Sequence, residues 1–278
     1  MNLLLRALGI LCCGGSLLAA AGCGSGPTYP KARLSDAVTS VLTSEGIAPT
    51  AVRVLEHTVA VQLIYPDALS QTGGHINVGP AFDEATRKII TSLHRVLLST
   101  DADVRFYVVL LSDPNTPGAY LTIVRYLDDI RRANANMLDT PEIIARTVFE
   151  LNAVGPAKIT LDSYLPHEVR LEEFLSWQLA RRIQRQLIEQ VQQPGLATIG
   201  ACAGRFQNRE FAFTLDVAPS TGAPLDEATI QQVFQMATNE IAKVLGSYRF
   251  DSFDQVRLIH PLTGRNFVLP KARLGLFR

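Results

Sequence analysis

The feature that most constrains the fold is an internal duplication. Phe82-Asp83-Glu84-Ala85-Thr86 recurs as Leu225-Asp226-Glu227-Ala228-Thr229, and the segments on either side of the two copies match in pattern and order. Before the second copy, Phe211, Phe213, Leu215 and Val217 alternate with Glu210, Ala212, Thr214 and Asp216, the period of a strand with one buried face. Before the first, Val59, Val61 and Leu63 alternate with Ala60 and Gln62. Partner strands are expected at about Ala51 to Leu55, turning at Glu56-His57, and at Ala197 to Phe206, turning at Gln207-Asn208-Arg209.

After each Asp-Glu-Ala-Thr the period changes to that of a helix. Ile89, Ile90, Leu93, Val96 and Leu97 form one apolar stripe, and Ile230, Val233, Phe234, Ala237, Ile241, Val244 and Leu245 form the other. Asp83 and Asp226 are expected as N-caps, with Gly246 stopping the second helix. Two more strands follow in each copy, Val104 to Leu111 and Ala119 to Val124, then Phe253 to Ile259 and Asn266 to Leu269. Their turns, at Asp113-Pro114 and His260-Pro261, correspond as well. The repeated unit is therefore strand, strand, helix, strand, strand. One helix across a four-stranded antiparallel sheet makes a two-layer α+β unit, and the chain carries two in tandem.

Residues 34–135 are expected to form the first unit, 136–194 a helical linker and 195–278 the second unit. A helix from Ser35 to Glu45 opens the first unit, ended by Gly46. In the linker, Thr140-Pro141 starts a helix reaching about Leu151, and a longer helix runs from His167 to Gln193. Along it Leu171, Leu175, Leu179, Ile183, Leu187 and Val191 return every fourth residue, a stripe suited to setting the angle between the units.

The leader carries the other strong signal. One basic residue, Arg6, precedes a run of Leu, Ala, Gly, Ile and Cys that reaches Cys23 with no acidic residue, the order of a secretory signal. Ala20, Ala21, Gly22 and Cys23 resemble the lipobox of bacterial lipoproteins, with Ala20 where Leu is commonest. The resemblance implies removal of residues 1–22, a diacylglycerol on the Cys23 thiol and often an acyl chain, such as palmitate, on its amino group. It implies a protein held on the cell membrane or outer membrane and facing away from the cytoplasm, with Gly24 rather than Asp favouring the outer membrane. Residues 23–33, rich in Gly, Pro and Ser, are expected to be a flexible tether.

Function classes are bounded mainly by what is missing. The 26 basic and 26 acidic residues balance, so no electrostatic footprint for nucleic acid exists. His57, His75, His94, His167 and His260 are scattered, none at metal-ligand spacing, so neither a metal site nor a cofactor is expected. No nucleophile elbow or phosphate-binding glycine loop occurs. Asp101 and Asp103 with Asp128 and Asp129 read as solvated carboxylates. With Cys12 and Cys13 in the leader and Cys23 lipidated, Cys202 is left alone as a small buried residue.

The expected body is thus a non-catalytic binding or scaffold component of a cell-envelope assembly with a protein partner. The alternative is a small-molecule, lipid or glycan site in the cleft between the units. Candidate ligand or partner residues are His75, in a long Gly-Gly-His loop between Pro66 and Ala81, and Trp177, Arg181, Arg182 and Arg185 on the linking helix. Those arginines are expected to be balanced by Glu168, Glu172, Glu173 and Glu189.

Overall fold

The computed structural model describes residues 28–73, 75–153, 159–192, 195, 197–220 and 225–276. The leader with Ala20, Ala21, Gly22 and Cys23 lies outside the described residues. Helix α1 (Leu34–Ser44) is followed by β1 (Pro49–Leu55), β2 (Thr58–Ile64), a small hairpin β3 (Leu69–Thr72) and β4 (His75–Val78), helix α2 (Phe82–Leu97), β5 (Phe106–Ser112) and β6 (Ala119–Tyr126). Then come α3 (Leu127–Asn134), α4 (Thr140–Arg146), β7 (Val148–Ala153), the short α5 (Leu161–Tyr164) and α6 (Leu171–Leu187). The second unit follows as β8 (Ala197–Gln207), β9 (Glu210–Pro219), α7 (Glu227–Tyr248), β10 (Gln255–His260) and β11 (Arg265–Pro270).

The class is α+β with two repeated sheet units. The first sheet orders its strands β1-β2-β5-β6-β7 and the second β8-β9-β10-β11 up to direction of reading, so hairpin, helix, hairpin repeats in space as it does in sequence. One detail departs from the antiparallel expectation. β2 pairs with β5, and β9 with β10, in parallel. The reason lies in the connection: α2 and α7 each span their sheet and return the chain to the starting end, so the next strand must run the same way. The outer pairs remain antiparallel. Local chemistry fits: the β8–β9 turn places both Asn208 (φ 50) and Arg209 (φ 60) in the left-handed region, as a two-residue hairpin turn needs.

The linker is not a helical module apart from the units. The end of the expected helix, residues 148–151, belongs instead to β7, which runs to Ala153 and completes the first sheet against β6. Helix α4 stops at Arg146, and its cap is Asp139, whose carboxylate accepts from the Glu142 N–H at 2.8 Å. The β-branched and aromatic start of the next segment, Val148-Phe149, suits a strand, and a sheet edge was at hand to receive it. The long helix begins at Leu171 rather than His167 and ends in a π turn over Ile188–Gln192. Other ends shift too. Helix α1 has no side-chain cap from Ser35, α2 begins one residue before Asp83, and α7 runs past Gly246 to Tyr248, with Arg249 in the left-handed conformation. Asp226 does cap α7, accepting from the Thr229 N–H at 2.6 Å. The tether is docked from Tyr29 onward: its N–H donates to the Ser99 carbonyl, and the Lys31 N–H to Asp101 Oδ1.

Packing explains why the two sheets differ. In the first unit Val59, Val61 and Leu63 of β2 join α1 and α2 in one core, while Ala60, Val108 and Leu110 on the opposite face are covered by Leu161, Val169 and Phe174. Sandwiched this way, β2 and β5 are buried along nearly their whole length. Gln62 sits in that second layer because the linker backbone satisfies it: its Nε2 donates to the Ile159 carbonyl and its Oε1 accepts from the Leu161 N–H. In the second unit α6 and α7 share one core with Phe211, Phe213, Leu215 and Val217, and the other face of β9 alternates outward. Helix α6 thus serves both units, with Phe174 in one core and Leu175, Leu179 and Ile183 in the other. No helix among the described residues is long and apolar enough to cross a membrane.

Candidate functional site

A dense polar network lies where the units meet. Arg146, at the end of α4, donates from Nη1 to Asp129 Oδ1 at 2.7 Å, from Nε to Glu142 Oε1 at 2.8 Å and from Nη2 to Ser247 Oγ at 3.1 Å. Its guanidinium lies 4.5 Å from the ring centre of Tyr248. The Tyr248 hydroxyl donates to the second Asp129 oxygen at 2.5 Å, and Gln178 Nε2 donates to that hydroxyl and to the Arg146 carbonyl. Arg182 extends the set, bonding Glu240 at 2.6 Å and Glu142 at 3.3 Å. Burial pushes Asp129 above the usual carboxylate range against the pull of Tyr248 and Arg146. Burial also raises Tyr248, which stays a phenol donor, while Glu142 is held down by its two arginines despite partial burial. Groups from α3, α4, α6 and α7 therefore form one network joining the units, in which, among the described residues, the buried Gln178 Oε1 alone is left without a donor.

Of the arginines proposed as a basic surface cluster, the structure separates all three. Arg182 is part of the buried joint; Arg181 pairs with Glu150 of β7 at 2.8 Å; Arg185 is exposed. The charge of Arg181 is balanced by Glu150 and that of Arg182 by Glu142 and Glu240, not by the expected Glu168, Glu172, Glu173 and Glu189, because α4, β7 and α7 approach the helix from its sides. Asp129, read as solvated, is likewise interior.

Trp177 lines a cavity of about 220 Å³ with Val108, Val124, Val148, Glu150 and Tyr164, and Arg181, one turn on along α6, relates to it through its pair with Glu150. Burial pushes the Tyr164 hydroxyl up to about 12, so it is a neutral donor there. The walls are apolar with one carboxylate already paired, and the volume lies below the roughly 300 Å³ at which ligand pockets begin. Such a space suits a small, largely apolar group rather than a substrate undergoing chemistry.

His75 is exposed in β4, whose hairpin with β3 replaces the expected long loop and packs against the first unit. Extended residues Leu69 to Thr72 and His75 to Val78 pair antiparallel. Leu69 and its neighbours are anchored by Asp113, which accepts from the Leu69 N–H at 2.9 Å. Cys202 is buried and free, its thiol pushed up to about 12 by burial, so it is no nucleophile at neutral pH.

One cluster had no signal in the sequence. His57, in the β1–β2 turn, faces Glu168 Oε2 with Nδ1 at 2.9 Å and Asp103 Oδ2 with Nε2 at 3.3 Å, and its backbone N–H also meets Glu168. Ligand-type atoms of Glu56, His57 and Glu168 lie within 4.8 Å of one another. Imidazole and carboxylate oxygens are a donor set for a divalent cation such as zinc. Here they are already hydrogen-bonded to each other, clamping the turn to the chain that leads into α6. Residues 111 apart meet because the linker crosses the first sheet, which local spacing cannot reveal.

No family model matches the chain, and no curated protein matches it.

Proposed function

We propose that this chain is a lipid-anchored extracytoplasmic protein, held through lipid on Cys23, whose body is a non-catalytic binding or scaffold component of a cell-envelope assembly. The observation that supports this reading best is the joint: Asp129, Arg146, Gln178, Arg182 and Tyr248 weld two units into one block. A block of fixed geometry presents surfaces at a set spacing, which suits recruitment of a protein partner. A catalytic cleft gated by domain motion would instead need a weak, wet interface. Membrane attachment through Cys23 places those surfaces beside the envelope without a spanning helix.

A second reading, binding of a small molecule, lipid or glycan, draws on the cavity beside Trp177, which lies between the first sheet and the linker rather than in a cleft between the units. Its apolar lining would accept the end of an acyl chain or a small ring.

Intact mass of the protein from its native membrane fraction tests the anchor. A chain beginning at Cys23 plus diacylglycerol supports it, and a bare chain in the soluble fraction would remove the basis for an envelope role. Crosslinking in whole cells then separates the two readings. Capture of a specific envelope protein favours the scaffold; retention of a small lipid or glycan through purification, lost in Trp177→Ala, favours the ligand site.

A further inference from the structure

The duplicated sheets differ at one edge. In the first unit the last strand of the repeat, β6, is covered by β7, which pairs antiparallel with it from Ala119↔Ala153 to Val124↔Val148. In the second unit the equivalent strand, β11, pairs with β10 alone, and no described strand takes the fifth place. Natural sheet edges are commonly guarded by charge along the strand. Between Arg265 and Lys271, β11 has no charged residue, and Phe267 and Val268 are 39% and 41% exposed.

The direction of each backbone group follows from one bond. The Lys271 N–H donates to the Asp254 carbonyl at 2.9 Å, in line with the Gln255↔Pro270 register. Antiparallel pairs alternate, so Arg265, Phe267 and Leu269 turn their N–H and C=O groups to β10, while Asn266, Val268 and Pro270 turn theirs outward. Pro270 has no N–H to offer. The open ladder is therefore Asn266 and Val268, two donors and two acceptors either side of Phe267.

We propose that β11 is a self-association edge, on which a second copy of this chain pairs antiparallel through its own β11 about a two-fold axis at Phe267. In that register Asn266 of each copy exchanges both backbone bonds with Val268 of the other, four bonds in all, and Phe267 lies opposite Phe267 in a close, non-hydrogen-bonded pair. Arg265 faces Leu269, so no like charges meet. Pro270 faces Gly264, which has no side chain to obstruct it. Centring the axis on Val268 or on Asn266 instead would also use all four open N–H groups, but would set a carbonyl opposite Pro270, which has no N–H, or opposite Gly264, whose N–H is already given to the Pro261 carbonyl. The bonds therefore fix the antiparallel alternation, and the Phe267 pair is what selects this register.

The side chains agree. Phe267 stacks on Phe234 of α7 with ring centres 5.9 Å apart, so the two-fold would align four aromatic rings in a row. Above them lies a groove of about 740 Å³ whose α7 wall, Gln231, Gln235 and Thr238, is uncharged and whose other side carries one cation, Arg273. The two α7 helices would sit on the same side of a continuous eight-stranded sheet, made from two four-stranded ones. The first unit supplies the precedent within the same chain: there, the same edge is closed by an antiparallel strand.

Sedimentation velocity of the full chain in detergent, across a hundredfold concentration range, should show monomer and dimer in exchange. Phe267→Cys should form a 267–267 disulfide on mild oxidation, located by peptide mapping so that the other cysteines do not confuse the result. Asn266→Cys, whose opposite number is Val268, should not. Val268→Lys should raise the dimer dissociation constant at least tenfold with an unchanged circular dichroism spectrum. A chain that stays monomeric with no 267–267 disulfide overturns the proposal, as does a dimer indifferent to Val268→Lys. A monomer that instead takes an extended peptide on this edge would overturn it in favour of a foreign strand.

Discussion

Arg146 and Asp129 pair at 2.7 Å with only 4% and 5% of their side chains exposed, and their remaining bonds reach α6 and α7. A buried pair of this kind adds little over a well-packed apolar substitute, yet breaking it leaves a charge without compensation. Arg146→Met should therefore cost about 3–5 kcal/mol, because buried Asp129 loses its cation while Glu142 keeps only Arg182. The double variant Arg146→Met with Asp129→Leu should recover part of that loss. Urea denaturation of the four proteins in a mutant cycle measures the coupling, and additive losses would show that the pair does not hold the joint.

Gly204 allows α6 to lie against β8. A Cβ there would stand 2.2 Å from the Ser176 carbonyl oxygen and 2.8 Å from the Phe213 ring, neither of which is the end of a flexible chain. Gly204→Ala should destabilise by about 1–3 kcal/mol through overpacking. Thermal unfolding should fall accordingly, while Gly204→Ala combined with Phe213→Leu regains only the ring's share, since the Ser176 backbone cannot retreat.

His94 accepts or donates at the Tyr107 hydroxyl at 2.9 Å, and burial with Arg125 nearby lowers its pKa to about 4. A buried neutral histidine binds its proton more weakly when folded than unfolded. The folded state is thus fully stable above the ordinary value of 6.5 and loses stability as pH falls from there to about 4, below which the loss levels off. His94→Gln should flatten this part of the stability profile relative to the parent chain. Equal slopes for the two in denaturation at pH 7 and 4.5 would show that His94 is not responsible.

Cys202, 5% exposed with its thiol pushed up to about 12, should be inert to thiol reagents in the folded protein and react at an ordinary rate in urea. Cys202→Ala should cost modest stability and leave any binding activity unchanged. Labelling of native Cys202 within minutes would mean that β8 opens locally far more often than a buried core strand should.

The duplication was legible because it is written in local periods. Phe211 to Val217 alternate and Ile230 to Leu245 recur at helical spacing because each element buries one face, and those faces are what the cores use. The site residues were less legible. Trp177 lines the cavity and Arg181 pairs with Glu150 on its wall, but Arg182, next in sequence, points into the joint because α7 brings Glu240 to it. His57 and Glu168 meet only through the path of the linker across the first sheet.

From its residues alone, the chain determined two strand-strand-helix-strand-strand units, the Asp226 cap and the turn at Asn208-Arg209, since each depends on neighbours within a few positions. Only the tertiary structure decided that β2 and β5 run parallel, that Val148–Ala153 is a strand, and that Asp129 is buried. The physical reason is the same in each case. Strand direction, edge pairing and the burial of a charge depend on which distant segment arrives to supply hydrogen bonds or a counter-charge. The first sheet obtained a fifth strand and a second covering layer from the linker, whereas the second sheet, built on the same pattern, kept an open edge at Phe267 and Val268.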